Sequence, residues 1–297
     1  MQIKYGTNDV NIDVTEMCYT RLLNTQNKII TIPSGDGNRA YYFGDPIFGT
    51  LKKIFITLNN STTVEYDQTK IININSLTNK IIPPNNYTIN DLHSKLTIHH
   101  GTFNEELPEQ EMVVRFLSGH EKVLEIGGNI GRNSLIIGSI LGTNANNFVT
   151  LECDTNSAGI LRQNRDLNNM KFHIEESALS NRRLIQKGWD TIASEKLLPG
   201  YHNVNIISWN DLKNKYNIEF DTLVLDCEGA FYYILMDMPE ILNNISLIIM
   251  ENDYWDITHK KYIDNVLTQN NFFVDFVQSG GWGPCKHNFF EVWQRRR

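Results

Sequence analysis

The chain has little cysteine, no long apolar run and a deficit of positive charge, and each shortage removes a class of function. Its four cysteines (Cys18, Cys153, Cys227 and Cys285) lie far apart with no C-x-x-C pair. That spacing excludes a zinc site and a disulfide framework. No window approaches the ~18 apolar residues of a membrane span, so no membrane partner is expected. Met1–Val10 lacks the basic start and apolar core of a secretion signal, and a cytoplasmic location is the expectation. Lys and Arg number 27 against 34 Asp and Glu, for a net charge of −7. A nucleic-acid partner, which calls for a basic face, is therefore not expected. The dense basic run Arg295–Arg297 stands at the extreme end, where solvated tails are ordinary.

A dinucleotide fingerprint is missing too. In Val123-Leu-Glu-Ile-Gly-Gly-Asn-Ile-Gly131, Ile126 occupies the first glycine position of G-x-G-x-x-G, which disfavours a pyrophosphate. What is present is a buried strand, Lys122–Ile126, a glycine turn and an apolar helix, Ile130–Leu141. Gly127, Gly128 and Gly131 leave the backbone open to a ligand where Cβ atoms would block it. Glu125, the glycine pair and Asn129 suit a cationic ligand without phosphate, carrying an amino acid end. S-adenosylmethionine is such a ligand.

Further elements arrive at the spacing such a site needs. A short strand, Asn147–Leu151, ends in Glu152 about twenty residues beyond the glycine turn, where a carboxylate can accept both ribose hydroxyls. The plain alternative is a solvated strand-end charge. A helix over Thr155–Asn169 carries Asn164 and Asn168 on one face. The strand Lys171–Glu176 then leads to Ser177 and Ala178, small residues placed to flank an adenine or simply to turn the chain. Thr222–Leu225 reads as a central strand delivering Asp226 and Glu228 beside a glycine turn and the helix Phe231–Met238. Ile245–Met250 ends the same way, in Glu251-Asn252-Asp253. Carboxyl ends of strands face the crevice where doubly wound sheets bind ligands.

These motifs, with Ala178-Leu-Ser-Asn181, Asn210-Asp-Leu212 and Leu225-Asp-Cys-Glu-Gly-Ala230, resemble the FkbM-type methyltransferases in order and spacing. The resemblance covers about two thirds of the chain, from Gly101 to Val292. It implies a class I methyltransferase-like α/β fold, with a doubly wound, mostly parallel sheet and an antiparallel last strand. It also implies an S-adenosylmethionine cofactor and methylation of a hydroxyl on a small molecule, a sugar or sugar conjugate by preference. Glu125, Gly127, Gly128, Asn129, Gly131, Glu152, Ser177, Ala178 and Asp226 are the expected cofactor residues, and Asp226 and Glu228 the expected catalytic ones. The chain departs from the family where a final carboxylate is replaced by Phe231, which removes one acid from the expected catalytic rim.

Residues 1–98 read as a separate β-rich accessory domain and 99–297 as the cofactor domain. Lys28–Ile32, Ile54–Leu58, Thr62–Tyr66 and Lys70–Ile74 are β-favouring runs separated by Ser34–Asn38, Gly44–Pro46, Asn59-Asn60 and Pro83–Asn86. A helix is expected at Thr15–Asn24. The aromatic group Tyr41-Tyr42-Phe43 with Phe48 offers core packing, a sugar-stacking face or a homo-oligomer contact. Glu105–Ser118 reads as an amphipathic helix, and Arg182–Tyr201, with Trp189, as a hairpin or lid over the crevice. The loop Gln278–Lys286 is expected near the substrate mouth.

An alkyl hydroxyl holds its proton with a pKa near ~15.7, so a carboxylate must remove it as the C–O bond forms, or a metal must first acidify it. Asp226 with Glu251, Asn252 and Asp253 is a weak magnesium set; His287 is a second base candidate, and His99-His100 a solvated pair. Two other classes stay open: a non-catalytic cofactor-binding scaffold, for which the missing acid at Phe231 speaks, and an NAD-dependent sugar enzyme with a degenerate fingerprint.

Overall fold

A computed structural model of the chain describes residues 1–25, 28–58, 62–82, 87–188 and 190–296. The expected turns at Asn59-Asn60 and Pro83–Asn86, with Trp189 and Arg297, lie outside the described residues. Two compact units are present, Met1–Asn86 and Tyr87–Arg296. The division thus falls earlier than the expected residue 98, and side chains of the second unit explain why. Asn168 Oδ1 accepts from Thr97 N at 2.8 Å, Asn164 Oδ1 accepts from His99 N at 2.8 Å, and His93 Nε2 bonds Gln110 Oε1 at 2.7 Å.

The first unit holds two four-stranded antiparallel sheets. One pairs Asn11–Asp13, Gln2–Gly6, Lys53–Thr57 and Thr63–Tyr66. The other pairs Leu23–Asn24, Ile29–Ile32, Ile72–Asn75 and Lys80–Ile82. Alternating residues fill its core, among them Ile3, Tyr5, Ile30, Ile32, Ile54 and Ile56. A helix at Asp36–Phe43 replaces the expected turn. Gly37 and Asn38 are poor helix formers, but Arg39, Tyr42 and Phe43 at positions i, i+3 and i+4 are all buried there. The aromatic group therefore splits: Tyr42 and Phe43 join the core, whereas Tyr41 and Phe48 are exposed.

In the second unit, seven strands form one sheet: β1 (Val123–Ile126), β2 (Phe148–Leu151), β3 (His173–Glu175), β4 (Thr222–Leu225), β5 (Leu247–Glu251), β6 (Phe272–Gln278) and β7 (Phe290–Arg295). Their order is β3-β2-β1-β4-β5-β7-β6. All contacts from β3 to β5 are parallel, and β7 runs antiparallel to both its neighbours. This is the expected doubly wound, mostly parallel arrangement, with its reversed last strand. Helices α1 (Leu107–Phe116), α2 (Arg132–Leu141), α3 (Thr155–Leu167), α4 (Trp209–Tyr216), α5 (Phe231–Asp237) and α6 (Ile257–Gln269) connect and cover it. The first, second and fourth strands are buried at every position, as parallel strands covered on both faces must be. No helix among the described residues is long and apolar enough to cross a membrane.

The sheet places its switch point between β1 and β4, whose ends touch. A Cβ on Gly127, at φ +94°, would lie 1.6 Å from the carbonyl oxygen of Asp226. On Gly128 it would lie 2.2 Å from Thr150 Oγ1, and on Gly131 2.4 Å from Leu161 Cδ1. Gly127 is thus required by the close approach of a second backbone, whereas Gly128 and Gly131 lie against the side chains of Thr150 and Leu161. Gly159, inside α3, has nothing within 4 Å of its would-be Cβ. Gly127→Ala should therefore cost about 2–5 kcal/mol through left-handed strain and overlap. Gly159→Ala should stabilise by about 0.5–1 kcal/mol through helix propensity. Urea unfolding followed by tryptophan fluorescence measures both.

Candidate active site

A cavity of about 690 Å³ opens at the carboxyl ends of β1, β2 and β4. Gly127, Asn129, Glu152, Ser177, Ala178, Asp226 and Glu228, all expected site residues, line it together. Glu125, Gly128 and Gly131 do not line it. Glu125 alternates onto the sheet face beneath α2, where it is 1% exposed and accepts a hydrogen bond from the Ser134 hydroxyl. Burial pushes its pKa up to about 7, against the hydrogen bonds of Ser134 and Thr150. It anchors the first turn of α2, where an acid also faces the positive end of the helix dipole.

Glu152 is held by backbone amides on both oxygens. Its Oε2 accepts from Asn129 N and its Oε1 from Asp154 N, each at 2.7 Å. Burial raises its pKa. Each oxygen keeps a second lone pair for a ligand hydroxyl. Asn129 sits at φ 45° and passes its Nδ2 to Glu106 Oε1 at 3.0 Å, which also receives Arg132 Nη1 at 2.8 Å. Arg132 Nε reaches Thr102 O at 3.1 Å. Asn164, fully buried, donates to Ile130 O at 2.8 Å while holding His99 N. Asn164 on α3, Asn168 at its C-terminal cap and Arg132 on α2 thereby strap residues 97–106 across the glycine turn.

On the other side of the switch point, carboxyls crowd together. Burial raises Asp226 well above its usual range, and the charges of Glu106, Glu109, Glu228 and Glu125 add to it. Glu228, in the left-handed region at φ 49°, is raised to about 8 by its hydrogen bond with Asp253 and by burial. Glu251 is pushed up by burial and by its hydrogen bond with Glu109. Among the described residues, no three His, Cys, Asp or Glu are grouped to hold a metal ion. The residues named for magnesium are not grouped to hold it: Glu251 bonds Glu109 and Asp253 bonds Glu228, while Asn252 Nδ2 donates to Asn288 O at 2.7 Å and leaves its Oδ1 without a partner among the described residues. His287 is exposed and does not line the cavity, and His99 and His100 are exposed, ring against ring. Phe231 is fully buried and joins the core, away from the cavity.

The polar stretch after Arg182 forms a three-stranded sheet of Leu184–Lys187, Asp190–Ala193 and His202–Asn203, and its hairpin lines the cavity. Arg182 pairs with Asp237, Nη2 to Oδ1 at 2.6 Å, and its guanidinium lies 5.4 Å from the Tyr233 ring centroid. Trp255, 85% exposed on the rim, meets Trp282 of the Gln278–Lys286 loop with centroids 4.1 Å apart. Tyr233 and Gln186 are among the lining residues that escaped the sequence reading. They carry no motif; only the hairpin pairing and the face of α5 bring them to the cavity. Gln186 is 4% exposed and its Oε1 has no hydrogen-bond partner among the described residues, a state that costs roughly 1–3 kcal/mol.

No family model matches the chain, and no curated protein matches it. Similar solved structures include an O-methyltransferase from Bacillus cereus in complex with SAH, at 14% identity and TM-score 0.39, covering 69% of this chain and 86% of that one. A ribosomal protein L11 methylase from Lactobacillus delbrueckii subsp. bulgaricus is similar at 11% identity and TM-score 0.42, with 67% and 81% covered. An rRNA methylase from Streptococcus thermophilus is similar at 8% identity and TM-score 0.36, with 60% and 88% covered.

Asp226, Glu228, Glu251 and Glu125 bind their protons more tightly folded than unfolded. Their contribution to stability is full below the unfolded values, about 3.8 for Asp226 and 4.5 for the glutamates, and is lost progressively as pH rises, through about 7 at Glu125, about 8 at Glu228 and about 11 at Glu251. Acids with lowered values, such as Asp13 and Asp67, act below that window. The melting temperature should therefore fall between pH 5 and 8.5, and Glu251→Gln should flatten the fall. Scanning fluorimetry across that range checks it.

Proposed function

We propose that the chain is an S-adenosylmethionine-dependent O-methyltransferase of the FkbM kind, acting in the cytoplasm on a hydroxyl of a small molecule, a sugar or sugar conjugate. The observation that carries this reading is Glu152. It is a carboxylate fixed by two backbone amides, facing a 690 Å³ cavity at the strand-order reversal. Such a group is built to accept paired hydroxyls. The fit extends to charge. Asp226 shares its surroundings with Glu106, Glu109, Glu228 and Glu125, and their repulsion favours a cationic ligand. A pyrophosphate would meet that repulsion instead, which argues against the nicotinamide alternative.

When bound, S-adenosylmethionine supplies an electrophilic methyl group on a positively charged sulfur. The residues of the chain would do the rest. Glu152 would hold the ribose hydroxyls, and Gly127 and Asn129 would face the amino acid end. Asp226 would accept from the ammonium group. Glu228, exposed at the mouth with its pKa raised to about 8, is the better placed base. Its raised value narrows the mismatch with an alkyl hydroxyl at ~15.7, so it would take the proton as the new bond forms. The Trp255 face and the Tyr233 ring, both more than a third exposed, would carry the apolar side of a sugar.

Four outcomes are expected. Glu152→Ala should weaken donor binding at least tenfold, about 1.4 kcal/mol, by calorimetry. Glu228→Gln should lower kcat about 10²–10³-fold, and in the native protein kcat/KM should rise with pH and level off above about 8. Methyl-labelled donor offered with nucleotide sugars, RNA and protein substrates should leave its label on carbohydrate. Label on RNA or protein alone would refute the acceptor class, and no donor binding at all would refute the whole reading.

A further inference from the structure

We propose that Trp255, braced by Trp282, is the stacking wall of the acceptor site, and that this site selects an uncharged sugar ring. The inference rests on the acceptor reading above. It adds the charge of the ring and a supporting residue from outside every motif of that reading. Three observations carry it.

The first is position. Trp255 and Glu228 line the same cavity. Glu228 bonds Asp253, and a Cβ on Gly229 would lie 3.0 Å from the Asp253 carbonyl oxygen. The turns after β4 and β5 are therefore in contact, and Trp255 stands two residues beyond Asp253. Two residues span at most ~7 Å, so the indole rises beside the carboxyl proposed as base.

The second is rigidity. Tyr254 is buried on one side of Trp255. On the other, Asp256 Oδ1 caps α6 by accepting from Thr258 N at 2.8 Å. An indole 85% exposed thus stands on fixed backbone, and Trp282 meets it with centroids 4.1 Å apart. The loop that carries Trp282 is anchored in turn. Cys285 is fully buried, and Gly280 N donates to Lys286 O at 3.0 Å. Gly281, at φ +52°, lies so near the Phe289 ring that a Cβ there would come within 2.2 Å of it. Trp282 does not itself line the cavity, so its part is to position Trp255. Exposed apolar surface continuous with a cavity rim is the setting of a ligand groove.

The third is charge. Among the described residues that line the cavity, Arg182 is the one cation, against Glu152, Asp190, Asp226, Glu228 and Asp237. It is already engaged by Asp237, Nη2 to Oδ1 at 2.6 Å. A carboxylate or phosphate on the ring would find no free cation here and would face carboxyls instead. A neutral pyranose offers an apolar C–H face to the indole and its hydroxyls to Glu228.

Methyl-labelled donor, offered with a panel of nucleotide-linked hexoses and the matching hexuronates, tests the proposal. Each pair shares its carrier and differs only in the charge of the ring. A hexose should be methylated with kcat/KM at least about tenfold above its uronate. Trp255→Ala should raise KM for that hexose about tenfold and lower kcat less. Trp282→Ala should raise KM about two- to tenfold, and Trp282→Phe should restore most of the loss. Donor affinity by calorimetry should stay at the native value in all three variants. Equal methylation of hexose and uronate by the native protein, or preference for the uronate or for a catechol, would overturn the proposal. So would an unchanged KM in both alanine variants. Loss of donor affinity along with the rise in KM would make the two indoles structural and overturn it as well. Donor binding with no sugar methylated would remove the acceptor reading and this inference together, and no donor binding would remove the cofactor reading too.

Discussion

Contact between the ends of two parallel strands governs the second unit. Gly127 has no side chain, so the turn after β1 lies against the Asp226 carbonyl at the end of β4. Any Cβ there would force the two apart. Their closeness, with β2 on the far side of β1, makes the crevice where Glu152 and Asp226 face one space. Glycine is needed because the backbone is left-handed at this point and because another backbone is already there. The ligand gains from a geometry whose cause is internal packing.

Around that contact, side chains of different origin share the work. Asn164 of α3 and Asn168 at its C-terminal cap are a turn apart, and both reach back to residues 97–99, which precede the sheet. Arg132 and Asn129 gather Glu106 from the start of α1. The acid that precedes the sheet and the acids that end β4 and β5 are thereby brought into one field. Burial first, and then like charges at close range, raise the pKa values of Asp226 and Glu251, and a bound cation would relieve that crowding. A base near neutrality suits proton transfer, and a cation-seeking cavity suits a sulfonium donor. One electrostatic arrangement supports both halves of the proposed chemistry.

Much of this was legible in order and periodicity. The strand Thr222–Leu225 occurs with the expected bounds, since a buried apolar run between polar neighbours leaves little choice. Glu152, Asp226 and Glu228 reach the cavity because strand ends project there in any doubly wound sheet. Glu125 does not, because one residue along a strand reverses the side on which a group stands. The helix Asp36–Phe43 was hidden by Gly37 and Asn38, whose local preference is overridden by the burial of Arg39, Tyr42 and Phe43. The separation of residues 87–98 from the first unit was likewise invisible, since it depends on side chains some seventy positions away in the chain.

By itself, the order of residues determined the alternation of strands and helices, the place of the glycine turn and the acids that end each strand. Those are local matters of period, volume and backbone freedom. Tertiary structure alone decided which acids meet, which glycines answer to packing, and that Gln186 faces the cavity. These depend on strands pairing across distant stretches of chain, and a pairing partner leaves no mark on its neighbour's sequence.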